Sequence, residues 1–281
     1  MSDILPLAVE IVLLIILSGM VLVLLYLRRR INVERIEYLR QLEDLENKKN
    51  YLTDAGLKLL ELKEALEREQ AKTSKLLRNV LPERVIRDLQ EKGESTPERF
   101  ADVSVLFADI INFTGIAPTM EAADLIVELS DIFSGFDAIF AKYNCERIKT
   151  IGDAYMAVAG LPDADKNHSR NILLAAVEAR DYLQERNRQP GRRQWQMRFV
   201  INCGSVVGGI VGRDKYIYDI FGDTVNTASR LEHASEAMKI NVSHNVYLKN
   251  RDFFEFTPRG MVEVKGKGAV EMYFLEGIKK L

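Results

Sequence analysis

A chain of 281 residues is longer than one compact domain of ordinary size requires. Hydrophobic residues make up 47% and charged residues 28%, enough to bury a core, and the net charge of -2 gives no reason to expect a nucleic-acid partner. Two cysteines, Cys145 and Cys203, exclude a disulfide framework and fit a reducing compartment.

The run Ile11–Leu27 carries no charge and is rich in Leu, Ile and Val. About 20 apolar residues span a bilayer as a helix, and a buried soluble helix is not normally apolar on every face. Asp3 and Glu10 stand where a cleaved leader carries basic residues. Arg28, Arg29 and Arg30 follow the run, so residues 1–30 read as a single transmembrane helix with a basic stop. The positive-inside rule then puts everything after it in the cytoplasm, at the cell membrane. Glu10 reads as a solvated helix end or as a contact with another membrane helix.

Residues 31–80 are helical by composition. Leu52, Ala55, Leu59, Leu62, Leu66, Thr73, Leu76 and Val80 fall on a 3/4 spacing, the seam of a parallel coiled coil. Tyr38, Leu42, Leu45 and Lys49 continue it upstream, with a slip of register near Asp54-Ala55-Gly56. A single solvated helix is the plainer alternative. A membrane anchor concentrates partners and favours the dimer. Residues 81–100 read as a connecting segment: Leu81-Pro82 ends the helix, Glu83–Glu91 forms a short one, and Gly93–Pro97 is turn-rich.

From 101 to 281 the pattern changes to alternating strands and helices. Val103–Ala108 is an apolar strand ending in Asp109, and the turn Asn112–Gly115 follows. Glu121–Lys142 is an amphipathic helix carrying Leu125, Leu129, Ile132, Phe133, Phe136 and Phe140 on one face. Gly152-Asp153 joins two strands as a short hairpin, with Lys149 on the incoming strand. A second helix is expected over Asp163–Arg186, then strands near Gln196–Asn202, Val206–Val211 and Lys215–Phe221. A helix starts near Gly222, capped by Asp223 or Thr224, and strands follow near Phe253–Thr257, Met261–Lys265 and Met272–Leu275. The order β-α-β-β-α-β is that of a ferredoxin-like α+β core, here with a C-terminal extension.

That core brings its first strand beside its central hairpin, so Asp109 and Asp153 can meet at one end of the sheet. Two adjacent carboxylates repel unless a cation lies between them, and hard oxygen ligands suit Mg²⁺ or Mn²⁺. The turn after Asp109, with Phe113 and Thr114, offers backbone N–H groups to a phosphate. Taken singly, Asp153 reads equally as a turn residue and Asp109 as a strand-end cap. Asn226 and Arg230 project from one helix face and suit a ribose oxygen and a phosphate, or simply water. Basic residues between glycines in Val264–Gly268 let an anion approach closely, or form a surface turn. His168, His233 and His244 have no phosphoacceptor-helix context and read as packing or surface residues, which argues against a sensor kinase.

The motifs VSVLFADIINFT, RIKTIGDAYMAVAG, YDIFGDTVNTASRLE and VKGKG, together and in this order, resemble the catalytic domain of the class III nucleotidyl cyclases. LLRNVLP, before them, resembles the segment preceding that domain in membrane-tethered members. The resemblance implies two metal ions, Mg²⁺ or Mn²⁺, on Asp109, Asp153 and the Ile110 carbonyl. It gives Lys149 and Asp219 the purine base, where guanylyl cyclases typically carry Glu and Cys. Asn226 would orient the ribose, Arg230 would stabilise the transition state, and Lys265 would bind the triphosphate. A further cation is usual before the base-reading aspartate, and Arg213 and Lys215 both lie near. Asn112 stands where many members carry glycine. Sites at a homodimer interface are implied, one chain giving the metal aspartates and the other the base-reading pair, Asn226 and Arg230.

A lysine donates to a ring-nitrogen acceptor and a carboxylate accepts from an exocyclic amine. Adenine offers N1 and its N6 amine in that pattern; guanine offers O6 and N1–H, the reverse. The expected substrate is therefore ATP, converted to 3′,5′-cyclic AMP and pyrophosphate. A guanylate cyclase and a degenerate, non-catalytic membrane signalling protein are the rival readings. The first 30 residues are too few for a sensory domain. The signal is expected to come through the membrane helix, from a membrane or receptor partner, or from a larger protein of which this chain is a piece.

Overall fold

The computed structural model describes residues 4–78, 80–212 and 216–279, with side chains from residue 13 onward except at 78. It falls into two units, Met1–Lys75 and Leu76–Leu281.

The first unit is almost entirely one helix, α1 (Ile4–Arg78, running three residues past the unit boundary). Pairs at i,i+4 such as Arg30–Glu34 (3.2 Å) and Arg68–Glu64 (3.1 Å) support it locally. Leu42, Leu45, Leu52, Leu59, Leu62 and Leu66 are all exposed. Among the described residues no helix is long and apolar enough to cross a membrane. The side chains of Glu10 and of Ile11 and Val12, the first two residues of the apolar run, lie outside the described residues.

In the second unit, α2 (Glu83–Lys92) precedes β1 (Glu98–Ile110), so position 101 lies inside a strand. Leu81, Val85 and Ile86 are buried with Val103, Val105 and Tyr218, which makes the connecting segment part of this core. Next come α3 (Phe113–Ile116), α4 (Ala122–Lys142), β2 (Cys145–Ile151), β3 (Ala154–Ala159) and α5 (His168–Arg188). Then follow β4 (Met197–Val211), β5 (Ile217–Phe221) and α6 (Asp223–His233). The chain closes with β6 (Ile240–Ser243), α7 (His244–Asn250), β7 (Phe254–Val264) and β8 (Gly268–Ile278).

The sheet order is β2-β3-β1-β4-β6-β8-β7, with β5 paired to β4. β1 lies antiparallel between β3 and β4, which is the ferredoxin-like arrangement, and β6 to β8 extend it. The sheet has two different faces. Leu106, Ala108 and Ile110 of β1 join the large core under α4 and α5. Val103, Val105 and Phe107 point the other way, toward α2, β5 and Ala228 of α6. Phe136 of α4 meets Tyr155 edge-on at 5.5 Å. Arg186, buried, pairs with Glu128 (2.7 Å) and Asp131 (2.8 Å), tying α5 to α4.

Several expectations are corrected. The second long helix begins at His168, not Asp163. The two strands expected over 196–211 are one strand through Gly204, because β1 takes up the irregularity between Phe100 and Val103. β7 likewise runs through Pro258, which an edge strand tolerates. Neither Asp223 nor Thr224 caps α6. Gly222 precedes it, Thr224 donates to the Ser205 carbonyl (2.8 Å), and Asp223 pairs with Lys267. β6 and α7 lie in a stretch too short in period to read from sequence. Cys145 and Cys203 are free and buried, and burial pushes their thiols up to about 12 and about 11. His168 is a packed histidine between Ser104 (2.8 Å) and Asp102 (3.3 Å).

Candidate active site

Alternation along β1 carries Asp109 onto the face opposite α4 and α5. The hairpin turn is Gly152-Asp153, as expected; Gly152 has φ 63, a left-handed conformation that glycine adopts without a Cβ clash. The turn delivers Asp153 to Asp109, close enough for their carboxyls to interact directly. Burial first, and then the Asp109 charge, push Asp153 up to about 6. Ile110 buries its side chain in the helix-side core, which leaves only its backbone available to this site.

Two residues that sequence reasoning missed complete this end. Arg198 on β4 is the register partner of Asp109 and donates to it at 2.8 Å. Its Nε side pairs with Glu232 of α6. Burial, then the Asp109 charge, push Glu232 up to about 7. The signal for Arg198 was an arginine in the apolar strand MRFVINCG, and for Glu232 a glutamate next to Arg230's apolar neighbour Leu231. Both raised carboxyls favour the folded state when protonated. That stability is full below about pH 4 and is lost as pH rises through about 6 and about 7. In chelator, the thermal midpoint of the wild type is expected to decline across that window, with Asp153→Asn flattening its lower part. Calorimetry at stepped pH checks this, and an unaltered slope in the variant refutes it.

Lys149 reaches the same face through an irregularity. β2 pairs Arg147 with Ala157 but Lys149 with Met156, so Ile148 is an extra residue. Arg147 therefore turns to Asp137 of α4 (3.3 Å), whereas Lys149 turns to Asp219 of β5. The Lys149 Nζ to Asp219 Oδ2 distance is 2.5 Å, with the Asp219 side chain only 13% exposed. Asn226 and Arg230 are exposed on α6, and Arg230 donates to the Gly266 carbonyl at 3.2 Å. A cleft of about 490 Å³ lies beside Arg230, lined by residues including Arg230, His233, Glu263 and Lys265. Phe113 and Thr114 head the short α3, whose N-cap Asn112 has φ 57. That is a left-handed position open to Asn and to Gly. Arg213 and Lys215 lie outside the described residues.

Asp109 and Asp153 are two mutually repelling carboxylates, an oxygen-only pair whose chemistry fits hard divalent cations. Among the described residues there is no cluster of three or more His, Cys, Asp or Glu side chains fit to hold a metal, so the remaining ligands would be backbone, substrate or water. Elsewhere in this unit stand the Lys149–Asp219 cation–carboxylate pair and, at the cleft beside α6, the cations Arg230 and Lys265.

The family described as the adenylate and guanylate cyclase catalytic domain matches residues 95–277. The soluble guanylate cyclase gcy-35 of Caenorhabditis elegans is 34% identical over 232 residues, covering 80% of this chain and 33% of that protein. An adenylate cyclase of Mycobacterium tuberculosis is 34% identical over 215 residues, covering 76% of this chain and 48% of that protein. This chain thus spans a third to about half of the length of these two curated relatives. Among solved structures, the guanylate cyclase domain of RhGC from Catenaria anguillulae in complex with GTP aligns with a TM-score of 0.62 and 31% identity. It covers 65% of this chain and 100% of that one. The adenylyl cyclase CyaB from P. aeruginosa aligns with a TM-score of 0.62 and 29% identity, covering 66% and 98%.

Proposed function

Because this chain belongs to the adenylate and guanylate cyclase catalytic domain family, we propose that it is the adenylate member of that pair, converting ATP to 3′,5′-cyclic AMP and pyrophosphate. The observation that carries the reading is the Lys149–Asp219 pair at 2.5 Å. It sets an ammonium donor beside a carboxylate acceptor, the complement of adenine N1 and N6. Guanine would leave both groups facing like partners.

Asp109, Asp153 and the Ile110 carbonyl would hold two Mg²⁺ or Mn²⁺ ions, which when bound supply a more acidic 3′-hydroxyl and charge neutralisation at the phosphates. Asn226 would orient the ribose so that its 3′ oxygen lies in line with the α-phosphorus. Arg230, one helical turn on, would stabilise charge on the transferring phosphoryl. Lys265, Arg198 and the backbone at Phe113 and Thr114 would hold the phosphate chain. We assign the complete site to a homodimer, in which one chain's metal aspartates face the other's base-reading pair, Asn226 and Arg230. The exposed leucine seam of α1 supports a coiled-coil dimer, since an apolar stripe gains by covering itself. The apolar run before Arg28 supports a single-pass anchor at the cell membrane, with the catalytic unit cytoplasmic and a membrane or receptor partner supplying the signal.

The test is turnover of ATP and of GTP by the purified full chain with Mg²⁺ or Mn²⁺. Cyclic AMP as the main product is expected. A preference for GTP overturns the base-reading argument, and no product from either nucleotide points to the non-catalytic rival.

A further inference from the structure

The turn between β7 and β8 touches α6 at two points. Arg230 donates to the Gly266 carbonyl at 3.2 Å, and Lys267 is ion-paired with Asp223 in the first turn of the helix. Gly266 has φ 73, and a Cβ there would stand 2.8 Å from Arg230 Nη1. The turn is therefore shaped, in both backbone and side-chain space, to the guanidinium. Lys267 closes the turn by its own amide, which donates to the Val264 carbonyl at 2.9 Å. Its side chain is only 25% exposed, whereas Asp223 is 79% exposed.

An exposed ion pair contributes little to stability. It can nonetheless fix where a two-glycine turn sits. A long arginine on an open helix face samples many rotamers, and its charge helps the reaction only in one of them. One carbonyl occupies one of five guanidinium donors and leaves the rest for a phosphoryl oxygen. We propose that Asp223, Gly266 and Lys267 form a latch that orients Arg230, the ion pair pinning the turn and the Gly266 carbonyl aiming the guanidinium. They are positioning residues and touch no substrate. The inference rests on the cyclase reading of Arg230.

Asp223→Asn and Lys267→Met are each expected to lower kcat by about 5-fold, with KM changed by less than about 2-fold, because Arg230 acts on charge that develops in the transition state. The thermal midpoint stays at the wild-type value, as an exposed ion pair implies, so the fall in kcat at constant KM reports on Arg230 and not on unfolding. Asp223→Lys combined with Lys267→Asp restores kcat. Single variants with wild-type kcat, or a reversed pair no better than the singles, overturn the latch. Amide hydrogen exchange at Lys267 gives a readout without catalysis. It should quicken in both singles and recover in the reversed pair, and unchanged exchange overturns the latch even in a chain that turns over no nucleotide. A wild type inactive on both nucleotides, with the exchange result as expected, sinks the cyclase reading and leaves the latch as a structural fact.

Discussion

The double substitution Lys149→Glu with Asp219→Cys shifts the kcat/KM ratio from ATP toward GTP by roughly 30-fold or more, taking about 1–3 kcal/mol for each mismatched, partly buried polar group. The geometry explains why both must change. Lys149 and Asp219 are 2.5 Å apart and satisfy each other. Lys149→Glu alone sets two carboxylates face to face, and Asp219→Cys alone leaves a half-buried ammonium without its partner. Each single variant is therefore expected to lose activity on both nucleotides, and only the pair regains it on GTP. Competition between labelled ATP and GTP measures the ratio. A double variant that still prefers ATP would show that the base is read elsewhere.

Mixing an inactive Asp153→Ala chain with an inactive Lys149→Ala chain restores up to about a quarter of wild-type activity, since half of randomly formed dimers are mixed and each holds one intact site of two. The two residues sit on one hairpin, yet their partners differ. Asp153 interacts with Asp109, and Lys149 with Asp219. If one chain's metal end faces the other's base end, the mixed dimer has one site with both defects and one with neither. A cyclase assay on co-expressed, differently tagged chains reads this out. Mixed dimers that form and stay inactive would place all groups of a site in one chain.

Much of this arrangement was legible because it follows local chemistry. Gly152-Asp153 between apolar runs can only be a tight turn, and the apolar face from Leu125 to Phe140 can only be a helix against a core. Boundaries were less legible where the deciding contact was distant. The strands expected over Gln196–Asn202 and Val206–Val211 are continuous because the partner strand absorbs the misfit between them. Asp223 looked like a cap, but Lys267, far along the chain, claimed its carboxylate. Arg198 escaped notice because its meaning comes from register: only pairing with β1 sets it beside Asp109. The facing of Lys149 was hidden for the same reason, since simple alternation puts it with Arg147 and the extra residue Ile148 separates them.

That extra residue also has a mechanical meaning. Arg147 is fastened to α4 on one side of the sheet and Lys149 to β5 on the other, so the base of the hairpin is bolted through the sheet's thickness. Only the tip, Gly152-Asp153, projects beyond the bolts as a short cantilever. Bending the tip changes the reach of Asp153 and leaves Lys149 where it is. On the cyclase reading proposed above, tolerance for ions of different radius would reside in the tip and discrimination between purines in the clamped base, so the two could be tuned separately.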